Sequence, residues 1–333
     1  MPIGPELLDR FARDWSVLTR SRRHQRTLVA VSGGADSVAL LLLMRAYLGD
    51  NCVAATVDHG LRETSTAEAA GVASLCAARG IAHSTLSGPL PGRVGRTANV
   101  SARARALRYS LLREHAASSG AEWIATAHHA DDQLETMVMR LNRGAGIGGL
   151  AGIRRWDHGG SLSSTVVRPL LGWRHQELAA LVAGEGIVPV DDPSNSDDRF
   201  DRARLRKLLA RTEWLDPVAA ARSAAALGDA EEAIQWIVER ERHESCQFGD
   251  GQAILRFTNG PAELRRRLVE ICLRHVDPTI APRGREIDYL IDKLESLGPC
   301  TLGHVRCGHS MYRANDLSLI AWTFQVAPVR RTS

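Results

Sequence analysis

Ser32-Gly33-Gly34-Ala35-Asp36-Ser37 puts two glycines, two hydroxyls and one carboxylate between a strand-like run, TLVAVS, and a helical pattern that starts at Asp36. Glycines let a backbone approach a ligand closely, and a helix start offers free N–H groups and the positive end of a dipole. Such a segment is a cradle for phosphate. A carboxylate inside it makes sense when a cation such as Mg²⁺ arrives with the phosphates, which makes Asp36 the metal-facing residue.

A second set follows a later strand-like run. In AHHADDQLET (Ala127 to Thr136), His128, Asp132 and Glu135 offer a candidate base and two carboxylates. Asp132 and Glu135 are three apart and so lie on one side of a helix start. Two other arrangements use the same stretch: capping by Asp131 or Asp132, and a metal site built from His128, His129, Asp131 and Asp132. Asp58 and His59 end another strand pattern, where an adenine or ribose edge would fall.

The elements that must hold these groups alternate along the first 190 residues. Strand patterns at 27–32, 52–58, 81–86 and 122–127 are separated by helical patterns at 36–47, 64–79, 99–117 and 131–142. This is the rhythm of a parallel sheet flanked by helices, an α/β class in which ligands bind beyond the carboxyl ends of the strands. A glycine-rich loop (144–160), a short extended piece ending at Arg168-Pro169, a helix over 174–184, a polar turn DDPSNSDD and an arginine-rich helix over 202–209 complete this part. From Asp216 the texture becomes Ala-rich and helical, which predicts two domains: 1–215, carrying the cradle, and a smaller, mainly helical 216–333.

Composition narrows the partners. Of 42 basic residues only Lys207 and Lys293 are lysines, so anion contacts fall to forked guanidinium groups. The net charge of +4 hides a strong segregation. Segments 93–113, 136–176 and 199–211 hold 18 basic and 2 acidic residues, a net +16, whereas the other 258 residues sum to −12. Brought together, those segments would make a basic face of the kind that binds nucleic acid. Neither lysine follows a glycine, which excludes a Walker loop, and the GxGxxG at Gly144, Gly146 and Gly149 follows a helix pattern where a dinucleotide site needs a strand. Six cysteines form no CxxC pair. Cys300, His304, Cys307 and His309 lack the paired spacing of a zinc finger and sit in a hairpin-like pattern. No apolar run is long enough to span a bilayer and the first residues form no export signal, so a cytoplasmic protein with no membrane partner is expected.

SGGADS after a first strand resembles the pyrophosphatase-type (PP-loop) ATP site of enzymes that adenylate a substrate. With VDHGLR, ARALRY, AHHADDQLET, LNRGAGIGGLAGI, RPLL and DDPSN, the chain over roughly 27–211 resembles the tRNA(Ile)-lysidine synthetase family. That resemblance implies a Rossmann-like PP-loop fold and the ATP-dependent joining of L-lysine to the wobble cytidine of a CAU anticodon in tRNA(Ile), through an adenylated cytidine. It assigns Ser32, Gly33, Gly34, Ala35, Asp36 and Ser37 to ATP and Mg²⁺, with Asp58 and His59 nearby. Arg108 falls on the α-phosphate, Asp132 and Glu135 on lysine, and His128 in the catalytic centre. Arg202, Arg204 and Arg206 become candidates for tRNA backbone contact, although alternate residues on one helix do not share a face. The nearest rival is a tRNA thiolase on the same loop, for which Cys52 and Cys76, the only cysteines before residue 246, are poorly placed.

Overall fold

A computed structural model describes residues 3–20, 25–58, 60, 65–88, 100–158, 164–190, 201–314 and 317–328. The chain divides into two compact units, 1–228 and 229–333. The division falls inside one long helix, twelve residues beyond the composition change at Asp216. Pro217, whose ring suits a first helical turn, begins that helix.

The first unit contains α1 (Pro5–Thr19), β1 (Thr27–Ala30), α2 (Ala35–Leu48), β2 (Cys52–Asp58), α3 (Ser65–Ala78), β3 (His83–Ser87) and α4 (Val100–Ser119). It continues with β4 (Trp123–Ala125), α5 (Ala130–Leu141), α6 (Ile147–Leu150), β5 (Trp156–Asp157), β6 (Thr165–Val167), α7 (His175–Gly184) and α8 (Asp201–Leu209). The six strands form one sheet in the order β3-β2-β1-β4-β6-β5, all parallel except β5 against β6. The chain runs outward from β1 to β3 and then returns to place β4 on the other side of β1. The crevice beyond the carboxyl ends of β1 and β4 is therefore the topological switch point, where such sheets bind ligands.

The core explains why α2 can aim its first turn at that crevice. Val38 through Met44 are all buried, so this helix is apolar on every side and is enclosed by its neighbours rather than lying on the surface. Phe11, Trp15 and Leu18 of α1 and Leu178 and Val182 of α7 belong to the same cluster. On the opposite face of the sheet Leu28, Val53 and Ile124 pack with Tyr109, Leu112 and Ala116 of α4.

The second unit begins within α9 (Pro217–Ser245) and contains β7 (Cys246–Gly249), β8 (Gln252–Leu255), α10 (Ala262–Val276), α11 (Gly284–Glu295), β9 (Cys300–Leu302), β10 (Val305–Ala314) and β11 (Leu317–Val326). Its helices come with a five-stranded antiparallel sheet, order β7-β8-β11-β10-β9; β10 and β11 are the hairpin that the alternating pattern marked, and the expected mainly helical character of 216–333 understates the rest. Cys300 and Cys307 face each other across β9 and β10, and the His309 Nε2–H donates to the Leu294 carbonyl at 2.6 Å. They are strand residues in a packed layer. Among the described residues they form no metal-ligand group.

Candidate active site

The cradle is built by backbone geometry. Gly33 has φ +88°, a region that side chains rarely adopt, and a Cβ there would stand 3.0 Å from Val190 and 3.3 Å from Val72. Gly34 is different: its nearest protein atoms to such a Cβ are 3.9 Å away, so the protein itself leaves room that a close-lying ligand would use. The Ser37 hydroxyl donates to the Gly34 carbonyl at 2.9 Å and accepts the Ser32 N–H at 3.1 Å, tying the loop to the first turn of α2. Gly34 is the N-cap and no side chain caps the helix, so its first amides are open to an anion.

Asp36, in that first turn, faces two imidazoles. His175 Nδ1 lies 2.7 Å from Oδ1, and His129 Nε2 lies 3.5 Å from Oδ2. Burial alone would raise the Asp36 pKa, but the two histidines outweigh it and hold the carboxyl well below the usual range. His129 is the buried N-cap of α5. The Asp132 amide points at its Nδ1 at 3.4 Å, while Asp132 Oδ2 accepts the His129 N–H at 3.3 Å. Its ring also lies 3.5 Å from Asp131. Burial opposes its charge, yet Asp131, Asp36 and Asp132 together raise its pKa to about 10. A protonated ring cannot also accept the Asp132 amide, so the carboxylates win over the cap.

His128, one residue earlier, behaves in the opposite way. Its Nδ1 is 3.1 Å from the Thr126 hydroxyl, and burial, reinforced by Arg168, Arg105 and Arg202 against the opposing pull of Asp132, lowers its pKa to about 3. It is a neutral imidazole at pH 7. The three arginines whose charge acts on it come one each from segments 93–113, 136–176 and 199–211, so each basic segment brings one arginine within electrostatic reach of this residue.

Glu135 is buried and holds two guanidinium groups: Arg202 Nε donates at 2.6 Å and Arg206 Nε at 2.6 Å. Arg202 also donates to Asp132 at 2.9 Å. Arg202 and Arg206 are four apart on α8 and so share a face, while Arg204 turns to Asp201 on the exposed side. Two of the three arginines thus enter the carboxylate cluster. Arg108 stands exposed on α4, one turn beyond Arg105.

Asp58 accepts hydrogen bonds from the Gly60 amide (2.9 Å), Ser65 (2.7 Å) and Thr66 (3.0 Å), which shape the entry to α3. His59 and the DDPSN segment lie outside the described residues. Reading the sequence by motif passed over His175 and left Arg168 without a role. Arg168, directly after β6, is buried, with one N–H on the Arg154 carbonyl (2.6 Å) and Nε without a partner. Its signal was position: it follows a strand at the carboxyl edge, as the cradle and His128 do.

The PP-loop domain family matches residues 7–213. The chain is 43% identical to the tRNA(Ile)-lysidine synthase of Novosphingobium aromaticivorans over 97% of its own length and 94% of that protein, and 35% identical to that of Zymomonas mobilis over 91% and 89%. It belongs to the tRNA(Ile)-lysidine synthase family. Among solved structures, the U34-tRNA thiolase of Methanococcus maripaludis, determined with its [4Fe-4S] cluster, is similar in fold, with TM-score 0.57 and 17% identity over 68% of this chain and 81% of that one. Family membership makes the chain an enzyme of the ATP-using PP-loop class. Among the described residues no helix is long and apolar enough to cross a membrane.

Proposed function

We propose that the chain joins L-lysine to the wobble cytidine of the CAU anticodon of tRNA(Ile), with ATP cleaved to AMP and pyrophosphate through an adenylated cytidine. One observation carries this reading: the phosphate cradle after β1 and the His128, Asp132 and Glu135 set after β4 open on the same crevice and are joined across it by the Asp36–His129 contact. Adenylation and amine attack need their groups within one substrate length of each other.

In the first half-reaction the amides of α2 and the serine hydroxyls take the β and γ phosphates, and Arg108 and Arg105 on α4 supply positive charge toward the α-phosphate. Asp36 fits Mg²⁺ as one carboxylate among phosphate oxygens, provided that His175 yields its place. A bound Mg²⁺ would neutralise charge on the departing pyrophosphate. In the second half-reaction a lysine side chain must lose a proton, which costs roughly 4.6 kcal/mol for a free amine at pH 7. In this reading Asp132 holds the ammonium, and Arg202 and Arg206, braced by Glu135, hold the α-carboxylate. His128 is neutral and can accept a hydrogen bond from the attacking amine, though its low basicity makes it a partner for the nitrogen rather than a proton store. The basic segments within electrostatic reach of His128 support an RNA substrate, with Arg204 facing outward for its backbone.

A thiolase reading fares worse. Cys52 and Cys76 are buried, and burial pushes their thiols up to about 12 and about 11, so neither presents a thiolate for sulfur transfer. The test is incubation with ATP, Mg²⁺, radioactive lysine and a CAU-anticodon tRNA(Ile). Lysine label in the tRNA with stoichiometric AMP is expected; AMP without label, or label from a sulfur donor, overturns the assignment.

A further inference from the structure

Three side chains that begin three different helices converge at the mouth of the cradle. Asp36 lies in the first turn of α2, His129 caps α5, and His175 opens α7. One donor atom from each lies within 4.8 Å of the other two, and this is the one such group of histidine, cysteine and carboxylate donors among the described residues. We propose that Asp36, His129 and His175 form a binding site for a divalent transition-metal ion of the zinc type, distinct in chemistry from the magnesium that ATP brings.

The donor set decides the class of ion. Two imidazoles and one carboxylate suit zinc and its neighbours, whereas magnesium prefers oxygen alone. Spacing agrees: ligand atoms held about 2.0–2.2 Å from a tetrahedral ion stand roughly 3.3 Å apart. The two Asp36 oxygens lie on either side of that value, Oδ1 2.7 Å from His175 Nδ1 and Oδ2 3.5 Å from His129 Nε2, so a small turn of the carboxylate would serve both. The ring centroids of the two histidines are 5.5 Å apart.

The surrounding groups also match what metal-bound histidines need. Asp131 sits 3.5 Å from His129 Nδ1, where it would accept that N–H once Nε2 gives up its proton to solvent and turns to the ion. The same carboxylate accepts the His175 backbone N–H at 2.8 Å and the Arg174 side chain at 3.3 Å, so it positions both histidines at once. His175 is half exposed, leaving the fourth position open to water or to a phosphate oxygen. Because Asp36 is shared, an ion held here competes with magnesium and ATP for the cradle. Zinc at this point would inhibit the first half-reaction and be displaced by excess Mg²⁺ and ATP.

The site can be read without turnover, by titrating chelator-treated protein with Co²⁺ or Zn²⁺ in the absence of nucleotide. One Co²⁺ per chain is expected, with the visible absorption of a four- or five-coordinate nitrogen and oxygen site, together with a zinc-dependent rise in melting temperature. His175→Gln, an exposed change whose folding circular dichroism checks, should weaken metal binding at least about 100-fold, more than is usual for loss of a supporting group. Unchanged affinity in His175→Gln overturns the proposal. So does a wild-type cobalt spectrum with thiolate charge-transfer bands, which would place the ion on cysteine sulfur, or the absence of any stoichiometric binding. The wild-type spectrum decides even if the variant fails to fold. The lysine-incorporation assay is independent of it, so either reading can fail alone.

Discussion

Each unit contains a buried carboxylate held by arginine, and the two clusters are opposites. In the first, one carboxylate, Glu135, faces two guanidinium groups that remain 45% and 44% exposed. In the second, one guanidinium, Arg267, faces two carboxylates. It makes a fork to Glu231 with both N–H contacts at 2.8 Å, gives its Nε to Glu263 at 2.8 Å, and is only 16% exposed. The second cluster closes on itself: every nitrogen of Arg267 is used, and Gln235 adds a further donor to Glu231 at 3.1 Å. The first leaves half of each arginine facing the crevice, beside a neutral histidine and an uncapped helix start. Pairing alone therefore does not distinguish a site from a brace. The distinction lies in donor capacity left over at the carboxyl edge of a parallel sheet.

The largest effect should come from the group that ties the cradle to the second motif. Asp36→Ala is expected to reduce adenylation about 10³-fold, measured as pyrophosphate released and adenylate bound to CAU tRNA before lysine is added. A loss below tenfold would mean that the cradle works without its carboxylate. In the braced cluster the consequence should be structural. Glu231→Ala leaves a buried guanidinium fork unmatched, so it should cost about 3 kcal/mol in urea unfolding while adenylation per folded molecule stays the same. A fall in specific activity would make the second cluster part of the machinery. Glu135→Gln should sit between these two. It keeps a hydrogen-bond acceptor but loosens Arg202 and Arg206, so the lysine KM should rise about tenfold with adenylation within a factor of two. Equal loss in both half-reactions would break the division of labour between the two motifs.

Why some of this was legible in the sequence follows from where the information sits. The cradle is local: six consecutive residues, two of them glycines, after a strand pattern, and the structure places them at the end of β1 and the start of α2. The parallel sheet was readable because its strands are buried apolar runs separated by helices of ordinary length. The second sheet was legible only in part: the alternating pattern marked the closing hairpin of β10 and β11, whereas α9 and α10 dominate the composition of the region and the strands β7 to β9 are only three or four residues each. His175 was invisible for another reason. It lies 139 residues from Asp36, and only the packing of α7 against α2 brings the two side chains together. The opposite fates of His128 and His129 could not be read either, because of two adjacent residues at a helix start one is buried within reach of three arginine charges and the other lies against three carboxylates.

The smallest effect tests the face of α8. The family resemblance made Arg202, Arg204 and Arg206 candidates for the tRNA backbone, and their spacing already implied that a helix cannot present all three to one partner. Arg202 and Arg206 are paired with the buried Glu135, whereas Arg204 and its neighbour Asp201 are both mostly exposed. An arginine that neutralises one phosphate contributes about 0.7–0.9 to the slope of log binding constant against log salt. Arg204→Ala should therefore lower that slope by about one and weaken tRNA binding about threefold, leaving the lysine KM unchanged. Arg206→Ala should do the reverse, because its guanidinium is neutralised by Glu135 before any RNA arrives. If both variants lower the slope equally, α8 must rotate or withdraw when tRNA binds, and the carboxylate cluster would then be a resting state of the helix rather than its working position.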